Sequence, residues 1–146
     1  MRRLIATLIL CASLFHANDV LATHAAGAEL VYELVPGTTN QYKFTYKFYR
    51  DCAGAATAPT SVTMCYGNNC GANGSITLNS VPTLPGGAAN GTPVGTGCPG
   101  FPTTCSGGTL PGYQEWWYSN TLTLPTTCSL WRFSVTVNAR NNAILN

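Results

Sequence analysis

The chain has 146 residues, seven Lys and Arg against five Asp and Glu, and only 8% charged residues beside 10% aromatic ones. That length suits one domain rather than two, and so weak a net charge, with no basic cluster, argues against nucleic acid as a partner. The aromatic and β-branched content is too high for a disordered chain.

The first segment is a targeting signal. Arg2 and Arg3 open it, Leu4 to Phe15 is apolar, and Val20-Leu21-Ala22 offers small residues for cleavage. The run is too short to span a bilayer. Residues 1–22 are therefore assigned to a secretory signal peptide and Thr23 to the mature start. Cys11 raises the alternative of a lipoprotein signal, but Leu10 precedes it where a small residue is wanted. The mature chain then has five cations (Lys43, Lys47, Arg50, Arg132, Arg140) and four anions (Glu29, Glu33, Asp51, Glu115).

Ala28 to Val35 alternates and predicts a first strand, and Pro36 to Asn40 supplies a turn. Gln41 to Cys52 is the clearest strand: Tyr42, Phe44, Tyr46 and Phe48 take one face, Lys43, Thr45, Lys47 and Tyr49 the other. Aromatic residues suit a pleated, half-buried surface. Arg50-Asp51 at its end predicts a local ion pair and turn. Thr60 to Tyr66 and Ser75 to Asn79 read as strands around a reversal at Gly67-Asn68-Asn69.

Ser80 to Tyr113 is a long proline- and glycine-rich stretch, and a loop of this length is normally functional, cross-linked or both. Glu115 to Leu124 and Leu130 to Asn138 close the series. In the latter Trp131, Phe133, Val135 and Val137 share a face. Short strands, turn signals and no helical period predict an all-β fold, an antiparallel immunoglobulin-like β-sandwich in architecture, over residues 23–146. The Cys-Trp-Cys spacing of true immunoglobulin domains is absent, since Trp131 lies only three residues after Cys128.

Six cysteines survive cleavage: Cys52, Cys65, Cys70, Cys98, Cys105 and Cys128. An even count in an exported chain points to disulfides, and fifteen connectivities are possible. The expectation is Cys65 with Cys70, Cys98 with Cys105, and Cys52 with Cys128, with no free thiol. The one histidine that survives cleavage, His24, and the lack of paired Cys-x-x-Cys motifs leave no metal site to argue for. No cofactor is implied.

For catalysis, Glu29 or Glu33 with Glu115 would be the paired carboxylates of a glycosidase. The glutamates of the first strand point outward, however, and His24 lies near the mature terminus, so solvated charge is the plainer account. No enzyme is expected. Trp116-Trp117-Tyr118 is the candidate ligand-binding surface, because three successive rings on a strand cannot all face inward. The competing account has the proline-glycine loop folded over the outward ring.

Several phrases, in order, resemble one group of exported proteins: THAAGAELVYELV, YKFYRDC, CPGFPTTCSGGTLPGYQEWWYSNTLTLPTTC and LWRFSVTVNARNNAI. They are similar to the N-terminal region of large secreted surface proteins of Bacteroidetes-type gliding bacteria, which often carry PKD-like or immunoglobulin-like repeats and end in a gliding-motility-associated domain. The chain departs from that pattern at Asn138-Ala139, where a cysteine pair is usual before Arg-Asn. The resemblance implies a secreted or cell-surface β-module, the first part of a longer protein, with other surface proteins or glycans as partners. The apolar Ile144 and Leu145 near the end suggest the same continuation. A non-catalytic structural or adhesion role is expected. The alternative is a carbohydrate-binding module on Trp116, Trp117 and Tyr118.

Overall fold

The computed structural model describes residues 25–54, 56–95, 100–125 and 127–137. Seven strands form: β1 (Ala25–Leu34), β2 (Gln41–Asp51), β3 (Ser61–Asn68), β4 (Asn73–Ser80), β5 (Thr92–Pro93), β6 (Tyr113–Thr123) and β7 (Trp131–Val135). One 3-10 turn, Thr104–Ser106, interrupts the long loop before β6. The paired strands all run antiparallel, in the order β1-β2-β6-β4-β3-β7, with β5 added to β6. Among the described residues no helix is long and apolar enough to cross a membrane.

The aromatic alternation of β2 explains the layering. Phe44, Tyr46 and Phe48 are each at most 6% exposed, and in register with them lie Tyr32, Leu30 and Ala28 of β1. Their apolar face must be covered, and β4-β3-β7 covers it with Leu78, Met64, Val62, Phe133 and Val135. Phe44 meets Phe133 across the gap at 4.6 Å between ring centroids. Hence two layers, β1-β2-β6 and β4-β3-β7, pack as a sandwich. Their backbones join where Asn79 and Ser80 pair with Ser119 and Tyr118 and where the Val81 amide donates to the Trp117 carbonyl. At the opposite side the two end strands, β1 and β7, face each other unpaired. In an immunoglobulin domain strands ABED oppose CFG. Here the third and fourth strands form a hairpin within one layer, so the likeness is one of architecture.

Local chemistry sets the connections. Pro36-Gly37 turns β1 into β2, with Gly37 at φ +80° and the Thr38 amide donating to the Val35 carbonyl at 3.1 Å. Proline followed by a left-handed glycine is what a type II turn requires. At the end of β2, Asp51 accepts from the Ala53 amide at 2.9 Å and closes the expected turn. The expected ion pair is replaced: the Arg50 guanidinium donates to the carbonyls of Gly54 and Ala56 and to Gln114 Oε1. Three donors fixed in one plane hold a loop better than they hold a single neighbouring carboxylate.

The disulfide framework differs from expectation. Cys52 pairs with Cys105, and Cys70 with Cys128, at Cα separations of 5.0 and 6.3 Å. Cys65 is free and exposed. The hairpin register gives the reason: Cys65 stands opposite Ser75 within β3-β4, while Cys70 lies in the turn, so the two cannot meet. Cys105 and Cys128 are both engaged elsewhere, which removes the other two expected bridges. Cys98 itself lies outside the described residues.

Candidate functional site

The three aromatic residues singled out on β6 fall into three different surroundings. Tyr118 is fully buried and donates its hydroxyl to the Pro59 carbonyl at 2.8 Å. Burial, with Tyr46 beside it, pushes its pKa up to about 12. Trp116 points inward, half-buried, with the backbone of Gly91 against its ring. Gly91 has φ +87°, and a Cβ there would strike the indole, so only glycine lets the loop lie so close. Trp117 alone faces outward. Lys47 Nζ sits 4.9 Å from its ring centroid, and its Nε1 donates to Glu115 at 2.7 Å. The three rings therefore share no single flat surface. The strand period divides the rings between faces, and the loop covers the inward one.

Asn90 shows how that loop is attached. β4 leaves β6 after Ser80, the Val81 amide still donating to the Trp117 carbonyl at 3.1 Å, and β5 takes up pairing at Thr92, which leaves the Trp117 amide facing a gap. The Asn90 side chain fills it. Its Oδ1 accepts from the Trp117 amide at 2.8 Å, and its Nδ2 donates to the Trp117 carbonyl at 3.0 Å. Asn90→Ala leaves the Trp117 amide without a partner, while the carbonyl keeps the Val81 amide at 3.1 Å, and is expected to cost about 1–3 kcal/mol. Hydrogen exchange at the Trp117 amide checks this: protection should fall sharply in the variant, and unchanged protection contradicts the role.

The glutamates considered for catalysis are all engaged. Glu29 pairs with Lys47 at 2.6 Å and Glu33 with Lys43 at 3.3 Å. The Glu29 hydrogen bond is the main cause of the raised Lys47 pKa. Glu115 accepts from Trp117 and, at 3.5 Å, from the Tyr49 hydroxyl, whose pKa is raised first by burial and then by this carboxylate. They form rows on the outer face of the β1-β2-β6 layer. His24 lies outside the described residues.

A better surface lies where the end strands face each other. Tyr32, Tyr42, Phe44, Leu130, Trp131 and Phe133 line a groove of about 310 Å³. Tyr32 is 64% exposed and Leu130 46%. The rings form a connected set: Tyr32 stands 6.0 Å from Tyr42 and 6.3 Å from Phe133, and Trp131 stacks on Phe133 at 6.2 Å with an 11° interplanar angle. Beyond Tyr42 and Trp131 the groove runs into a smaller hollow edged by the polar Asn40, Thr39 and Thr127. Neither hollow is lined by a charged residue. The arrangement offers flat apolar contact with neutral hydrogen-bonding groups at one end.

Sequence reasoning places Trp131 and Phe133 on one strand face and Tyr42 and Phe44 on another, and assigns neither pair to a site. The groove arises because β1 and β7 end their layers without pairing, and strand order carries no local signal. On the other flank of Leu130 is a third hollow, of about 330 Å³, at the β3-β4 turn, lined by Gly67, Asn69, Gly71, Asn73 and Arg132 among others.

No protein-family model, no curated protein and no solved structure matches the chain.

Proposed function

We propose that this chain is a non-catalytic adhesion module of the cell exterior that binds glycans through the aromatic groove between β1 and β7. The observation that carries the reading is the ring set of exposed Tyr32 with half-buried Tyr42 and Trp131 at a seam where two sheet ends leave it partly uncovered. Aromatic faces provide large contact area at little entropic cost, and a contiguous exposed set marks a surface that meets a partner. Neutral polar neighbours suit sugar hydroxyls. Two long-range disulfides fit an oxidising compartment, as export by the N-terminal signal requires. The similarity to surface proteins of gliding bacteria accords with the same location.

Glycan-array binding tests the reading. Trp131→Ala and Tyr32→Ala should abolish binding while the fold, followed by near-ultraviolet circular dichroism, survives. Trp117→Ala should leave binding intact. Loss of binding at Trp117 and not at Trp131 would return the site to β6. A wild-type protein that binds no glycan but captures a surface protein, with the same loss at Trp131, would keep the groove and change its ligand.

A further inference from the structure

Arg132 is the one cation among the described residues with neither a hydrogen bond nor an ion pair. Lys43 and Lys47 are matched by Glu33 and Glu29, and Arg50 is spent on Gly54, Ala56 and Gln114. Arg132 instead lines the hollow at the β3-β4 turn, whose other walls are glycine, alanine, leucine and asparagine and include no carboxylate. A guanidinium carries five donors suited to a bidentate anion, and among the described residues nothing takes them.

The hollow is also held in shape. The side chain of Asn68 accepts from the amides of Cys70 and Ala72 at 3.0 and 2.9 Å, and Gly71 sits at φ +93°. The Cys70–Cys128 bridge then ties this turn to the segment entering β7. Leu130 lines both this hollow and the aromatic groove, so the two lie on either side of one side chain, within reach of a chain of several sugars. One ligand can therefore occupy an apolar, neutral site and a cationic site together.

We infer that the glycan bound in the aromatic groove is an acidic one, a sugar chain bearing a carboxylate that Arg132 receives in the hollow at the β3-β4 turn. The inference rests on the groove being a glycan site. The neutral rings of such a chain stack on Trp131 and Tyr32, and the carboxylate supplies the counter-charge Arg132 lacks. The amide groups of Asn69 and Asn73 lie in the same lining, able to meet hydroxyls next to the carboxylate.

The test is calorimetric titration of the full mature protein with an oligogalacturonide, with the same oligosaccharide after carboxyl reduction, and with inorganic sulfate. The acidic form should bind about tenfold more tightly than the reduced form, the size of one charge-assisted contact. Added salt should erode that preference. Arg132→Gln should bring the acidic form down to the affinity of the reduced one and leave the reduced one unchanged. Arg132 is exposed, so the variant should fold, and its unfolding midpoint confirms that. Equal binding of the two forms by wild type, or a preference that survives Arg132→Gln, overturns the inference and leaves the groove standing. Sulfate alone binding as tightly as the acidic oligosaccharide overturns it as well, since the groove then contributes nothing. If neither oligosaccharide binds, the glycan reading of the groove falls first and this inference with it.

Discussion

Replacing Cys52 and Cys105 together by serine is expected to lower the unfolding free energy by about 4 kcal/mol. The bridge spans 53 residues, and closing so long a loop removes unfolded-state entropy on that scale. Against a total of roughly 5–15 kcal/mol for a small domain, this is a large fraction. The Cys70–Cys128 bridge spans 58 residues, so loop length alone ranks the two as equals. Their surroundings separate them. Cys52 is held as well by the hydrogen bond its amide donates to the Gly112 carbonyl and by the Arg50 contacts next to it. Cys70–Cys128 carries the turn and the segment that together bring Leu130 and Arg132 to the ligand surface. Removing Cys70–Cys128 should therefore cost a similar stability and abolish ligand binding as well. Removing Cys52–Cys105 should leave binding in whatever fraction remains folded. Non-reducing thermal unfolding of the two double variants, with binding measured well below each midpoint, decides this. A loss under 1 kcal/mol in both would mean that native strain cancels the entropic gain.

How far the sequence reaches can be judged element by element. The strand at Gln41–Asp51 is legible because aromatic residues recur with period two, and its inward set is the buried set. The Pro36-Gly37 turn is legible because two residues with special backbone freedom stand together. β3 and β4 were placed to within about two residues for the same reasons. The site was not legible. Tyr32 has the same pattern neighbours as any inward strand residue, yet it is 64% exposed because β1 ends its layer. Trp117 drew attention as part of a dense ring cluster, but its outward position is occupied by Lys47 and Glu115 from neighbouring positions in the sheet. Disulfide pairing failed on the same grounds. Short spacing between Cys65 and Cys70 suggests a local bridge, whereas the hairpin register puts them apart and the fold brings together residues more than fifty positions distant.

Phe44→Ala is expected to destabilise the protein by about 3–5 kcal/mol, the range for deleting a buried aromatic ring. Phe44 is 1% exposed, and its ring lies 4.6 Å from Phe133 of the opposite layer and 5.9 Å from Tyr32 of β1. Among the described residues the two layers share backbone hydrogen bonds at Asn79, Ser80 and Val81, so at the far side side-chain packing joins them. Phe44 is the centre of that packing. Phe133 is only partly buried and contacts Phe44, Tyr32 and Trp131, so its truncation should cost less, because water reaches part of the space it leaves. A double-mutant cycle between Phe44 and Phe133 should give a coupling of about 0.5–1.5 kcal/mol, the worth of a direct ring pair beyond buried area. The same deletion removes the floor beneath Tyr32, so ligand affinity should fall with stability, whereas Leu78→Ala should destabilise and leave affinity alone. Leu78 is fully buried in β4 but lines neither the groove nor the turn hollow. Urea titrations of the single and double variants, with binding assayed on the folded fraction, give both readings. Additive losses at Phe44 and Phe133 would mean that the layers are not held together at this seam. An affinity unchanged in Phe44→Ala would mean that the ligand does not rest on Tyr32.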